Sequence, residues 1–141
     1  MQEQAVDGLD TALARIGDRW SLLIVNALLG GAMRFNELQE VLGAIASSVL
    51  TQRLRHLEGQ RILVATPYSA RPPRYSYALT ASGRELAGAV RLLARWGSQQ
   101  AGVADDGPVH YECGTALEAR WYCPTCQRSV SDEEGREPGF I

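Results

Sequence analysis

The sequence predicts a mainly helical fold with one small antiparallel β-hairpin (α+β), and three observations lead to this expectation. Apolar residues recur at helical spacing in four successive segments between residues 9 and 57. Branched and aromatic residues then fill two short runs, ILVAT and YSYAL, around a segment with two prolines. Helical spacing returns between residues 86 and 96. Helix, turn, helix, strand, strand and helix in this order indicate a winged helix-turn-helix fold.

The first two predicted helices supply the start of the core. One face of the first helix carries Leu9, Leu13 and Ile16. Gly17 interrupts this helix just before Asp18, which is suited to be the N-cap of the next one. The following segment, WSLLIVNALLGG, is apolar on nearly all sides, as expected for a buried central helix.

The next two segments predict the helix-turn-helix pair. RFNELQEVLG forms its short first helix, which ends at Gly43. In the second helix Leu50, Leu54 and Leu57 share one face, so the opposite face is small, polar and cationic. Since such a helix enters the DNA major groove, its polar residues are candidates for base or phosphate contacts. They are Ser47, Ser48, Thr51, Gln52, Arg53 and Arg55, with Arg53 expected closer to phosphate. A polar face on an ordinary surface helix is the alternative.

The two strands predict a basic ribbon behind this pair. We expect a loop from Tyr68 to Arg74, stiffened by prolines, in which Arg71 and Arg74 reach phosphates or the minor groove. A solvated loop is the alternative. Arg19 and Arg34 stand at helix starts that approach the DNA backbone in this fold, and a structural role for either is the competing interpretation.

Charge is distributed unevenly along the 141 residues, whose net charge is −2. Residues 1–100 hold eleven Arg against eight acids, and residues 101–141 hold three Arg against eight acids. Residues 53–84 hold six Arg and one acid, which places positive charge on the second helix and the ribbon. The low net charge therefore does not argue against DNA binding.

The last helical segment, ASGRELAGAVRLLARWGSQQ, has an apolar stripe that consists of Leu86, Val90, Leu93 and Trp96. This stripe faces either the core of the chain or a second copy of it. We expect a winged-helix and dimerisation domain at residues 1–100, a linker at 101–108 and an acidic tail at 109–141.

The tail contains all three cysteines of the chain. His110-x-x-Cys113-Gly and Cys123-x-x-Cys126 have the spacing with which two ligands reach one tetrahedral ion, and they predict a small structural zinc ribbon. Two alternatives are a redox CxxC motif and a degenerate ribbon held by the packing of Trp121 and Tyr122.

Four motifs carry a family resemblance over residues 9–97: GDRW, RFNEL, QRLRHLE and PPR-x-x-Y-x-LT-x-x-G. In this order and spacing they resemble the HxlR branch of bacterial winged-helix regulators, which is related in shape to the MarR group. The resemblance implies binding of operator DNA as a homodimer, with the outer helices at the dimer interface. Asp7 stands where many relatives have a sensor cysteine, and Ala46 where a serine caps the recognition helix. We expect Ser47 to take over that capping.

These observations predict a cytoplasmic, homodimeric transcription regulator with a palindromic operator. The sequence has no run of eighteen apolar residues, no signal core and no catalytic motif, which disfavours membrane insertion, export and enzymatic activity. Two other functions remain open: a winged-helix module that binds a protein, and a metal- or thiol-responsive sensor that uses the tail cysteines.

Overall fold

The structure is a computed structural model that describes residues 7–135. The helices are α1 (Gly8–Ile16), α2 (Arg19–Leu28), α3 (Phe35–Leu42), α4 (Ser47–Gly59), α5 (Ala81–Arg84) and α6 (Ala87–Ala101). The strands are β1 (Met33–Arg34), β2 (Leu63–Ala70), β3 (Pro73–Leu79), β4 (Trp121–Cys123) and β5 (Arg128–Val130). A 3-10 turn follows at Asp132–Glu134. The predicted fold class is confirmed.

Two compact units divide the chain between Arg91 and Leu92, inside α6. The first contains α1 to α5, the start of α6 and a sheet in the order β1-β3-β2. The second contains the rest of α6 and the β4-β5 pair. The end of α6 thus groups with the tail, and the expected boundaries at 100 and 108 stay a prediction. Between residues 7 and 135 no helix is long and apolar enough to cross a membrane.

The end of the first helix and the start of the second lie where the sequence predicts. The Asp18 carboxylate accepts hydrogen bonds from the backbone N–H groups of Trp20 and Ser21, both at 3.0 Å, and so caps α2. Gly17 is the C-cap of α1, where its N–H donates to the Leu13 carbonyl oxygen and a Cβ would lie 2.3 Å from that oxygen. Only glycine fits this close approach.

An aliphatic cluster forms the core of the first unit, and α2, α4 and the strands contribute most of it. Its buried members are Ile16, Ile24, Val25, Leu28, Leu38, Ile45, Leu50, Leu54, Leu57, Ile62, Leu63, Leu79 and Val90. Each such side chain contributes about 1.5 to 3 kcal/mol when fully buried. The three leucines of α4 are among the most buried, which fixes the side of α4 that faces outward.

The hairpin is longer than the sequence predicts. β2 continues to Ala70 and β3 begins at Pro73, so the expected loop from Tyr68 to Arg74 is wrong and the turn holds only Arg71 and Pro72. Pro72 lies in this turn and Pro73 is the first residue of β3, a position where a missing N–H is tolerated, so the two prolines do not require a longer loop. A register shift between Pro67 and Ser69 accommodates the extra residue.

The predicted last helix is divided into α5 and α6, and a turn at residues 85–86 separates them. The Thr80 side chain accepts a hydrogen bond from the Gly83 N–H and caps α5. A Cβ on Gly83 would lie 2.1 Å from the Ile62 carbonyl oxygen, so α5 is packed tightly against the residue that precedes β2. Apolar spacing continues across the break, which is why the pattern does not reveal it.

Candidate nucleic-acid interface

The outward face of α4 is polar along its whole length. Ser47, Ser48, Gln52 and Arg55 are exposed, opposite the three buried leucines of this helix. Thr51 and Arg53 lie at the edges of that face and are half-buried. We call the exposed side chains of Ser48, Gln52 and Arg55 the α4 polar face. These side chains point outward because the leucines on the opposite side of α4 are buried in the core.

Ser47 does not cap α4, contrary to the expectation from the sequence. Ala46 occupies the N-cap position, and no side chain accepts a hydrogen bond there. The Gln39 amide of α3 instead donates to the Ser47 hydroxyl at 2.8 Å. The Thr51 hydroxyl donates to the Ser47 carbonyl at 2.8 Å. Ser47 therefore holds α3 and α4 in register, and this use of its hydroxyl explains why the prediction was wrong.

Two contacts hold α4 against the helices before it. The guanidinium of Arg53 lies 3.3 Å from the Asp18 carboxylate, and both groups are partly buried. His56 Nε2 lies 2.7 Å from the Arg15 carbonyl oxygen. Arg53, expected near a phosphate, is thus engaged in an ion pair with Asp18, while Arg55, two residues later, is exposed.

The pKa of the Asp18 carboxyl is lowered from its ordinary value. Partial burial alone would raise the pKa of this carboxyl. Hydrogen bonds from the Ser21 hydroxyl and backbone N–H, the charge of Arg53 and the Trp20 N–H act in the opposite direction, and the net pKa is lowered. The carboxylate that caps α2 therefore also provides a charge that orients Arg53.

The tip of the hairpin is basic and its conformation is held from within. Arg71 and Arg74 are exposed, and neither belongs to an ion pair in the part of the chain that the structure describes. The Ser69 hydroxyl donates to the Pro72 carbonyl at 3.1 Å across the turn. We call this turn, with Arg71 and Arg74, the wing tip.

The other two predicted arginines are exposed and stack on aromatic rings. The Arg34 guanidinium lies 4.5 Å from the centre of the Tyr68 ring, and the Arg34 N–H donates to the Glu37 carboxylate at 2.7 Å. Arg19 lies 4.9 Å from the ring of Trp20. Arg34 thus contacts the wing as well as the start of α3.

A cleft of about 400 Å³ lies between α4 and the sheet. Its lining includes Thr51, Arg55 and Glu58 of α4 and Tyr75 and Tyr77 of β3. The cleft joins the α4 polar face to the hairpin, so both elements border one continuous surface. The sequence alone did not indicate that Tyr75 and Tyr77 line this cleft. It also did not indicate the contacts of Gln39 with Ser47 and of Tyr68 with Arg34, because each contact joins two different elements of the fold.

The predicted apolar stripe is partly buried and partly exposed. Val90 is buried in the core of the first unit and Leu86 is half-buried against it. In the second unit Leu93 is 54% exposed and Trp96 is 63% exposed. Only Leu93 and Trp96 therefore remain available to a partner, and the part of the stripe at Leu86 and Val90 already packs inside the chain.

The four predicted zinc ligands lie as two pairs. His110 Nδ1 is 3.2 Å from Cys113 Sγ, and the Cys126 N–H donates to Cys123 Sγ at 3.4 Å. Hydrogen bonding with Thr115 lowers the pKa of the Cys113 thiol, and the backbone N–H of Cys126 lowers that of Cys123. Within residues 7–135 no three side chains of the metal-ligating types are grouped closely enough for one ion. Each pair is therefore at most half of a site.

A helix with a polar outward face, placed between a short helix and a basic hairpin, defines a winged helix-turn-helix DNA-binding protein. Residues 15–105 match the HxlR-like helix-turn-helix family, and the chain belongs to that family.

Known proteins similar to this chain are regulators. An HTH-type transcriptional regulator of Mycobacterium tuberculosis H37Rv is 34% identical over 142 residues, which cover 95% of this chain and 88% of the relative. The solved structure of PA1607, described as a candidate transcription factor, has a TM-score of 0.75 and 29% identity and covers 95% of both chains. The oxidised form of the redox regulator HypR has a TM-score of 0.62 and 31% identity over 66% of this chain and 96% of its own. The protein is thus a transcriptional regulator with a helix-turn-helix DNA-binding fold, and not an enzyme.

Proposed function

We propose that this regulator binds a palindromic operator as a homodimer and reads base edges with the α4 polar face. The observation that carries the proposal is the exposure of Ser48, Gln52 and Arg55 on the side of α4 opposite its buried leucines. Arg55 has the donors for a bidentate contact with guanine, and Gln52 can pair with adenine. Ser48, near the start of α4, and Thr51, at the edge of the face, are suited to further polar contacts.

Backbone contacts in this proposal come from arginines outside the α4 polar face. Arg71 and Arg74 at the wing tip are free of ion pairs within the described residues and suit phosphate binding. Arg19 and Arg34 are exposed at the starts of α2 and α3 and provide further positive charge. Arg53 has a different role, since its contact with Asp18 orients α4. A regulator that acts on chromosomal DNA in this way works in the cytoplasm.

A second copy of the chain is the partner that we propose for the exposed apolar side chains of the outer helices. Leu9 and Leu13 are exposed on α1, and Leu93 and Trp96 are exposed on α6. Large apolar side chains that recur on one face of a helix mark an interaction surface. A two-fold dimer presents two copies of α4, and these read two half-sites about 34 to 36 Å apart.

Replacement of Arg55 tests base reading directly. Arg55→Ala should cost roughly 1 to 3 kcal/mol on the selected operator and relax the preference at one base pair. Arg55→Lys keeps the charge but loses the bidentate geometry, so it should relax the same preference with a smaller loss of affinity for random DNA. Selection of bound sequences from random DNA, followed by anisotropy titrations, measures both. An equal loss on operator and random DNA for both variants would mean that Arg55 contacts only phosphate.

Spacing of the half-sites tests the homodimer. Insertion of five base pairs at the centre of the selected palindrome places the half-sites on opposite faces of the duplex and should abolish two-site binding. Insertion of ten base pairs restores the face and should recover part of the affinity. Equal affinity for one half-site and for the intact palindrome would contradict a dimer that reads both.

A further inference from the structure

The second unit contains two turns of the same construction, and each turn contains one of the donor pairs. His110 and Cys113 lie in a turn that is closed by the antiparallel bridge between Val109 and Ala116. Cys123 and Cys126 lie where the chain passes from β4 to β5. In both turns two residues separate the donors, which is the spacing of a metal-binding knuckle.

The backbone of the two turns is the same as well. The Gly114 N–H donates to the His110 carbonyl at 2.8 Å, and the Gln127 N–H donates to the Cys123 carbonyl at 2.8 Å. The residue after the second donor has a positive φ in both turns, 70° at Gly114 and 54° at Gln127. A residue with a side chain rarely adopts this conformation, so its presence at Gln127 shows that the turn geometry is specific. Two turns that share this hydrogen bond and this positive φ therefore each present one donor pair.

Apolar burial does not explain how these turns are held. Among residues 102–135 only Cys123 and Val130 are partly buried, and every other side chain is exposed. Tyr111 is 99% exposed and Trp121 is 69% exposed. The ion pairs Arg120–Glu118 and Arg128–Glu134 lie on the surface, where such pairs contribute little. A segment of this size without a core is usually held by a disulfide, a metal ion or association with another chain, and the paired donors favour the metal ion.

We propose that His110, Cys113, Cys123 and Cys126 bind one Zn²⁺ in a closed, structural site, with two ligands from each turn. Three thiolates and one imidazole complete a tetrahedron and leave no open position, which distinguishes a structural from a catalytic zinc site. Soft sulfur ligands also exclude Mg²⁺ and Ca²⁺ as the resident ion. Since the structure shows the donors as two pairs, binding of the ion brings the two turns together.

Metal content and cobalt spectra of the full-length chain, purified without a histidine tag or chelator, test this proposal. We expect about one zinc per chain by elemental analysis. After removal of the metal, Co²⁺ alone should give the visible absorption of a tetrahedral site together with a sulfur-to-cobalt band in the near ultraviolet. A zinc content well below half an ion per chain after dialysis against micromolar Zn²⁺ would overturn the proposal. A mass two hydrogens lower in the metal-free chain as purified, which shows a disulfide between two of its three cysteines in place of bound metal, would also overturn it.

Matched variants of the two histidines distinguish the loss of a metal ligand from a general effect of substitution. The chain has two histidines, and His56 lies in α4, outside the donor pairs. His110→Ala should weaken zinc affinity at least tenfold and shift the cobalt spectrum, and His56→Ala should change neither. Cys126→Ser should act in the same direction as His110→Ala. Identical metal content and spectra in His110→Ala and the unchanged chain would refute the assigned ligand set. Since the readout is the metal alone, failure here leaves the proposed DNA binding unaffected.

Discussion

Asp18 shows how one residue can serve two elements. Its carboxylate caps α2 through two backbone N–H groups, accepts from the Ser21 hydroxyl, and pairs with Arg53 of α4. The cap is visible in the sequence because an aspartate precedes an apolar helix. The pairing with Arg53 is not, because 35 residues separate the two. This contact gives an arginine that was expected near DNA a role in positioning α4.

Substitution of Asp18 should separate these two roles. Asp18→Ala removes the cap and the charge and should lower the free energy of unfolding by about 0.5 to 2 kcal/mol. Asp18→Asn keeps a good cap and removes only the charge, so its loss should be smaller. Chemical denaturation at neutral pH measures both. If Asp18→Asn costs as much as Asp18→Ala, the ion pair and not the cap carries the contribution.

Acid titration provides a second measurement on the same residue. The folded-state pKa of Asp18 is depressed, so its contribution is complete above the usual aspartate pKa and is lost as the pH falls through the lower folded value. The free energy of unfolding of the unchanged chain should therefore decline more steeply below about pH 4 than that of Asp18→Asn. Parallel acid profiles would contradict this assignment.

At the scale of elements, the hairpin differs most from its prediction. A loop of seven residues would leave Arg71 and Arg74 on a mobile segment, whereas strand pairing to Ala70 and Pro73 places Arg71 in a turn of two residues and Arg74 in β3 beside it. Position on a fixed turn reduces the loss of conformational entropy when a phosphate is bound. The wing tip is therefore a preorganised basic element.

Replacement of both wing-tip arginines tests this role. Arg71→Ser with Arg74→Ser should lower the slope of log affinity against log salt by about 2 and leave the preferred sequence unchanged. Arg84→Ser with Arg91→Ser removes the same charge from exposed positions on α5 and α6 and is the matched control. If the two double variants lower the slope equally, net charge and not the wing tip determines the effect.

At the scale of the whole molecule, the proposed oligomeric state depends on apolar side chains that are exposed in the single chain. In the predicted stripe, Leu86 and Val90 are covered within the first unit, and Leu93 and Trp96 are exposed in the second. Exposed leucine and tryptophan on a helix that continues beyond the core are typical of an interface with another chain. The proposed homodimer therefore depends on the later part of α6.

A charge placed in this part of α6 should dissociate the dimer. Leu93→Glu should reduce the fraction of dimer at micromolar concentration at least tenfold, because a carboxylate would be buried in the interface without a partner. Ala94→Glu, an exposed neighbour on the same helix, is the control and should stay dimeric. Light scattering and sedimentation measure both variants. A monomeric unchanged chain, with or without DNA, would rule out the dimer itself.

Local and periodic features of this protein could be predicted from its sequence. The caps and ends at Asp18, Gly17 and Gly43, the buried leucines of α4 and the family motifs depend on neighbouring residues or on a fixed period, and the structure agrees with them. The α4 polar face follows from the same periodicity, because burial of one side exposes the other. These features suffice for the fold class and for the class of function.

Tertiary structure decided what depends on residues that are distant in the chain. Pairing across the sheet added β1, extended β2 through Pro67 to Ala70 and let β3 begin at Pro73, because proline is tolerated on an edge strand and as the first residue of a strand. The Ser47 hydroxyl accepts a hydrogen bond from Gln39 and does not cap α4, and the half-buried Arg53 is paired with Asp18. Packing against the core divided the α6 stripe. Each of these outcomes is set by a partner whose position no local pattern contains.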